Sequence, residues 1–146
     1  MSLTADDRFA IQDLYAKYCQ RVDQNDAAGW AQTFTEDGER SYDPHHPMPA
    51  RAGKTFKGQQ ALMGLQTGLQ PTERPLRTRH WQSLPVLTDR GDHVESIVYG
   101  MVVDVSQSPP VIMAHTTYTD RLVKLEDGSW KIQARASLHD RYPAPA

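Results

Sequence analysis

The sequence predicts an α+β fold, a cone-shaped α+β barrel of three helices packed on a strongly curved, mixed and mostly antiparallel sheet. Three observations predict it. Apolar residues near the start recur at helical spacing. The second half is a series of long extended segments. Those segments are joined by short, turn-rich connections, which favour an antiparallel meander over a parallel sheet.

The first helix starts at a capping box, Thr4 followed three residues later by Asp7 in place of the usual glutamate. Ile11, Leu14, Tyr15, Tyr18, Cys19 and Val22 then form one apolar stripe, and Asp23 ends it. A short second helix is expected to turn Trp30, Ala31 and Phe34 inward and to stop at Asp37-Gly38. A strand near 39–43 follows. The Pro- and His-rich run Asp43 to Pro49 is a loop, because proline donates no ladder hydrogen bond. A short strand over Lys54 to Lys57 leads to Gly58, which opens a third helix with Ala61, Leu62, Leu65 and Leu69 facing in. Gly64 and Gly68 weaken that helix. The extended segments are 77–88, 93–107, 111–125 and 130–140. Asp89-Arg90-Gly91-Asp92, Ser108-Pro109-Pro110 and Glu126-Asp127-Gly128-Ser129 separate them.

Composition narrows the function classes. With 146 residues the chain reads as one domain over 1–146 with a core of its own. Sixteen basic against 18 acidic residues give a net charge of −2, so no basic surface for nucleic acid is indicated. No apolar run spans a membrane and no secretory leader opens the chain, so a cytoplasmic protein is expected. One cysteine, Cys19, allows no internal disulfide and no cysteine-rich zinc site. His45-His46 lacks an evident third ligand, and no metal is expected there. Val94, Val98 and Val102 alternate with Ile97, Tyr99, Met101, Val103 and Val105. A strand apolar on both faces predicts a covered outer face and a homo-oligomer, a dimer or trimer.

Ala10-Ile11-Gln12-Asp13-Leu14-Tyr15, Val22-Asp23, Trp30, Phe34, Asp37-Gly38, Gly58 and Asp127-Gly128-Ser129-Trp130-Lys131-Ile132 follow one another in an order that resembles the SnoaL-like branch of the nuclear-transport-factor-2-like superfamily. The resemblance runs over nearly the whole chain. It is nearest to two cofactor-free lyases, scytalone dehydratase and hexachlorocyclohexane dehydrochlorinase. It implies a small-molecule pocket inside the cone and an Asp–His dyad. The dyad aspartate falls on Asp23, and its histidine on His80 in Leu76-Arg77-Thr78-Arg79-His80. A second pocket histidine falls on His115, and a pocket tyrosine on Tyr42. Tyr18 matches a functional tyrosine of a bile-acid dehydratase. Arg135 and Ser137 match pocket-lining positions. The chain departs from the pattern at Val22, where the dehydratase has a tyrosine, and in loop 44–53.

The chemistry implied is acid–base work without cofactor. His80 would take an acidic C–H proton while Asp23 fixes and stabilises the ring. Tyr42 and Tyr18 would hydrogen-bond developing enolate charge. His115 would protonate a leaving hydroxyl or shape the wall. Trp30, Phe34, Met63, Trp81 and Met113 are wall candidates for a cyclic or polyketide-like substrate. The outcome is a dehydratase-type lyase. An isomerase or polyketide-type cyclase in the same pocket, or a non-catalytic ligand-binding or assembly module, are the alternatives.

Overall fold

The computed structural model describes residues 2–67 and 77–140. Its helices are α1 (Ala5–Asp23), α2 (Ala27–Ala31) and α3 (Gln59–Thr67). Its strands are β1 (Phe34–Tyr42), β2 (Thr55–Lys57), β3 (Thr78–Gln82), β4 (Val86–Asp89), β5 (Val94–Asp104), β6 (Val111–Lys124) and β7 (Trp130–His139). The sheet order is β2-β1-β7-β6-β5-β3, with β4 also paired to β5. Among the described residues only β1 and β7 pair in parallel. Three helices thus lie on a mixed, mostly antiparallel sheet of seven strands that does not close. The expected fold class is the one observed.

Helix α1 begins as expected. Thr4 Oγ1 accepts from Asp7 N, and Asp7 Oδ2 accepts from Thr4 N, both at 3.1 Å. Asp7 also ties the helix to the sheet: Lys124 Nζ (2.8 Å) and Trp130 Nε1 (3.0 Å) both donate to its Oδ1. Lys124 first, then Thr4, hold this carboxyl well below the usual carboxylate range. The stripe Ile11, Leu14, Tyr15, Tyr18 and Cys19 is buried against Val94, Val98, Tyr118, Leu122 and Ile132.

Two elements differ from expectation. Phe34 does not close α2 but opens β1, and Asp37-Gly38 lies inside that strand. The β1–β7 register breaks between Phe34 and Glu39. A Cβ on Gly38 would sit 2.7 Å from Phe34 Cβ, so the glycine serves a β-bulge rather than a helix stop. The segment 77–88 divides into β3 and β4, interrupted where Pro85 has no N–H to give. In α3, Leu62 is buried and Leu65 half-buried, but Ala61 is exposed; Gly68 and Leu69 lie outside the described residues.

On β6 the even-numbered residues Thr116, Tyr118, Asp120 and Leu122 turn inward to the helices. Gly100 of β5 pairs with Thr116 of β6. Its missing side chain admits the Tyr118 ring: a Cβ there would lie 2.1 Å from Tyr118 Cε2. The opposite sheet face exposes Trp81, Ile97, Tyr99 and Leu138.

Loop 43–54 is pinned by Asp43. Its Oδ1 accepts from His45 N (2.8 Å), and its Oδ2 accepts from His139 N (2.9 Å) and pairs with His139 Nδ1 (2.6 Å). Gly53 N closes the loop onto Asp43 O at 3.0 Å. Burial alone would raise the Asp43 carboxyl, but the His139 and His45 hydrogen bonds hold it at about 2.

Two outcomes follow from these packings. Gly100→Ala is expected to destabilise by about 1–3 kcal/mol, because the Tyr118 ring must leave its place; an unchanged urea midpoint would refute the close approach. Asp43 is depressed in the fold, from 3.8 to about 2. Its contribution is therefore complete above the unfolded value and lost as pH falls from about 4 through 2. Urea titrations should show a steeper loss over that interval in the wild type than in Asp43→Asn. Parallel slopes would mean that the Asp43–His139 link contributes nothing.

Candidate functional site

Asp23 is the last residue of α1, and His80 lies at the centre of β3 on its inward side. The two meet. His80 Nδ1 is 2.6 Å from Asp23 Oδ1, and His80 N donates to Asp23 Oδ2 at 2.9 Å. Thr78 Oγ1 adds a donor to Oδ1 at 3.3 Å. Both side chains are largely enclosed, 10% and 21% exposed. A carboxylate at a helix C-terminus faces the unfavourable dipole end, and these three donors offset that. An imidazole whose Nδ1–H goes to a carboxylate keeps a lone pair on Nε2, so it can accept a proton.

Behind the dyad, cross-strand register assembles a buried polar row. Arg40 of β1 lies beside Arg135 of β7, Arg135 opposite Asp120 of β6, and Asp120 opposite Ser96 of β5. Arg135 grips Asp120 through Nε and Nη2, each at 2.7 Å, with both side chains fully buried. From α1, Tyr15 donates to Asp120 Oδ2 (2.5 Å) and lies 2.7 Å from Ser96 Oγ. Burial would lower the Arg135 pKa, but Asp120 carries it well above the ordinary value. Burial and then Asp120 push the Tyr15 phenol up, and burial does the same to Tyr118 and Tyr42. These phenols stay protonated and can donate.

Rings enclose the two guanidiniums. Arg135 lies 4.4 Å from the centres of Tyr18 and Tyr118, and Arg40 lies 4.1 Å from that of Tyr42. Arg51 Nη1 donates to Tyr42 Oη at 3.3 Å. His46 packs edge-on to both Tyr42 and His139, and burial lowers its pKa to about 4. The buried interior also carries polar atoms with no partner: Trp30 Nε1, Arg40 Nε, Gln82 Oε1, Thr116 Oγ1 and Arg135 Nη1. Such atoms mark places where water or ligand is expected. A separate cavity of about 90 Å3, lined by Val22, Asn25, Ala27, Gln66 and Thr67, opens at the end of α1 and does not include His80.

The expected residues therefore divide. Asp23 and His80 come together, and Tyr18, Tyr42, Arg135 and Ser137 are buried on the inner side of the fold. His115 does not join them. It is an odd-numbered residue of β6, on the face opposite Thr116 and Tyr118, beside Tyr99 and paired with Asp140. Trp81 and Met113 are exposed, as is Met63 on α3. Trp30 and Phe34 are fully buried and pack on each other and on Tyr18, with centroids 5.2–6.1 Å apart. Arg40, Asp120, Tyr15 and the Asp43–His139 pair escaped the sequence reading. The only local signal for Arg40 was its alternation with Tyr42 on an inward strand face.

None of the described helices is long and apolar enough to cross a membrane. No curated protein matches the chain. Solved structures do. A variant of Rv3472, a protein of unknown function from Mycobacterium tuberculosis, is 27% identical at a TM-score of 0.75, covering 92% of this chain and 72% of that one. An NTF2-like protein with a cystatin-like fold from Novosphingobium aromaticivorans is 22% identical at 0.77, covering 95% and 85%. The β subunit of a putative aromatic-ring-hydroxylating dioxygenase from the same organism is 20% identical at 0.73, covering 93% and 90%. The last two show the fold alone. The family model for the SnoaL-like domain matches residues 3–136, nearly the full sequence, and the chain belongs to that family.

Proposed function

We propose that this protein is a cofactor-independent enzyme in which His80 moves a proton on a carbon acid, in a dehydratase-type β-elimination on a small cyclic or polyketide-like molecule. The observation that carries the reading is the 2.6 Å contact between His80 Nδ1 and Asp23, reinforced by the backbone N–H of the same histidine. One carboxylate thus sets both the tautomer and the orientation of the ring.

His80 Nε2 takes the proton α to a substrate carbonyl, and Asp23 stabilises the imidazolium that forms. The C–H electron pair becomes the enolate. Buried phenols, Tyr42 foremost, donate to its oxygen. The pair then forms the C=C bond as the β-hydroxyl leaves, and His80 returns its proton to that group as water departs. His115 has no part in this sequence, since it lies on the other sheet face. Returning the proton to a different carbon would make the same site an isomerase. Attack of the enolate on a second carbonyl would make it a cyclase.

The cytoplasm is the proposed location, and a homo-oligomer the proposed state. Trp81, Ile97, Tyr99 and Leu138, all exposed on the outer sheet face, support a second copy there.

In D2O, the wild type should catalyse α-proton exchange of a cyclic β-hydroxy ketone probe, followed by NMR. Asp23→Asn and His80→Gln should each lower that rate by about 10²–10⁴-fold. Full exchange activity in either variant would remove the dyad from the mechanism. For a non-catalytic module no exchange would be seen in any of the three proteins. Sedimentation at micromolar concentration should give a dimer or trimer, shifted toward monomer by Ile97→Glu. A monodisperse wild-type monomer would refute the oligomer.

A further inference from the structure

The dyad leaves one charge in the interior unaccounted for. Arg135 is neutralised by Asp120 in a two-point contact, and Tyr15 engages the same carboxylate. Arg40, only 3% exposed, has no such partner. Its Nη1 donates to the neighbouring Ser41 carbonyl at 2.7 Å. Its Cζ lies 4.1 Å from the centre of the Tyr42 ring and 5.3 Å from that of Tyr118. Its Nε has nothing to donate to. Among the described residues no carboxylate reaches it. Asp120 belongs to Arg135, Asp43 to His139, and Asp7 to Lys124 and Trp130. A buried guanidinium without a counter-ion destabilises a fold, and natural cores seldom keep one.

Its neighbour repeats the pattern. Arg135 registers beside Arg40 on the adjacent strand, about 4.8 Å away in the ladder. Its Nη1 is also buried and unpartnered. Two guanidiniums with free N–H groups, side by side, match the planar acceptor pair of a carboxylate. Tyr42, Tyr118 and Tyr18 stack on the two guanidiniums, so a ring attached to that carboxylate would meet aromatic side chains. The dyad aspartate lies further along the helix that carries Tyr18. Tyr18 touches Arg135, and Asp23 follows five residues later, about 7.5 Å along the helix axis.

We propose that Arg40, assisted by the free Nη1 of Arg135, is the seat for the carboxylate of the ligand, so that the interior selects ring-bearing carboxylic acids. This names a substrate class for the proposed acid–base site and rests on that reading only for the chemistry; the anchoring itself is a binding property.

Benzoate and its uncharged analogue benzamide are suitable probes, titrated against the 15N-labelled protein by NMR. The wild type should bind benzoate saturably, and about 10- to 100-fold more tightly than benzamide. Arg40→Met keeps an unbranched apolar stem without the charge and should abolish that preference. Arg40→Lys should keep part of it, and covers the case in which the methionine variant does not fold. His80→Gln should bind benzoate as the wild type does, so loss of the dyad and loss of the seat are separable. In urea without probe, Arg40→Met should be at least as stable as the wild type, and benzoate should raise the midpoint of the wild type alone. Equal binding of benzoate and benzamide, no saturable benzoate binding, or an undiminished preference in Arg40→Met would each overturn the proposal.

Discussion

The interior is organised around the Arg135–Asp120 ion pair. Both side chains are withdrawn from solvent, and the contact is made through two parallel N–H to oxygen bonds of 2.7 Å. Removing two ions from water is costly, and attraction offsets that only with good geometry and further hydrogen bonds. Tyr15 supplies one to Asp120, and its hydroxyl is itself held by Ser96. The pair therefore links α1, β5, β6 and β7 at one point, and loss of either partner would cost on the order of 3–5 kcal/mol. It also depends on a bulge. Trp130 and Ile132 point inward, so strict alternation would turn Arg135 outward. A register break opposite Arg121 and Leu122 inserts Gln133 and reverses the parity. One extra residue thus puts a cation into the core and sets the faces of Ser137 and His139 after it.

The fold was legible in the sequence where periodicity carries the signal. The α1 stripe, its capping box and the β5–β6–β7 meander needed only local spacing and turn residues. Phe34 was misplaced because its neighbours Trp30 and Ala31 are helical, and one apolar residue cannot report a change of period. Asp37-Gly38 looks like a helix end in sequence, but the glycine is required by a close approach to Phe34. His115 fails for a reason of parity. It pairs with Met101 in unbroken register with Thr116, whose side chain points inward, and on a strand one residue separates the two faces. Arg40 and Asp120 were illegible because charges in a strand read as solvent-facing. Only the long-range register Arg40–Arg135–Asp120–Ser96 explains their burial.

The dyad geometry alone does not single out His80. Asp43 and His139 reproduce it closely: a 2.6 Å contact to Nδ1 and a 2.9 Å bond from the histidine's own N–H. The two pairs differ in what surrounds them. Asp43 also binds His45 N and fastens loop 43–54, while the His139 ring is covered edge-on by His46 at 4.5 Å. Its Asp and His are occupied with holding chain segments together. Asp23 holds no loop. It gathers Thr78 and His80 of β3 alone, and β3 is the last strand of the sheet. An acid–base histidine must be oriented on one nitrogen and approachable on the other. The pair at the sheet edge suits that better than the pair packed beneath a loop.

A pattern of charge then separates the two ends of the interior. At the α1–β3 end an aspartate is satisfied by a histidine, and no cation takes part. At the β1–β7 end Asp120 pairs with Arg135 alone, leaving the positive charge of Arg40 enclosed by phenols. Tyrosine rings tolerate a guanidinium on their faces but do not neutralise it, since a cation–π contact gives about 2 kcal/mol when desolvated, less than burial of the charge costs. A sequence selected for stability alone would replace Arg40 with an apolar residue of similar length. The Arg40 Nε has no partner, as the Nη1 of Arg135 has none, and that is the ground for the proposed carboxylate seat. On the proposed reading the SnoaL-like scaffold supplies the walls, and the sign of the buried charge sets which molecules fit between them.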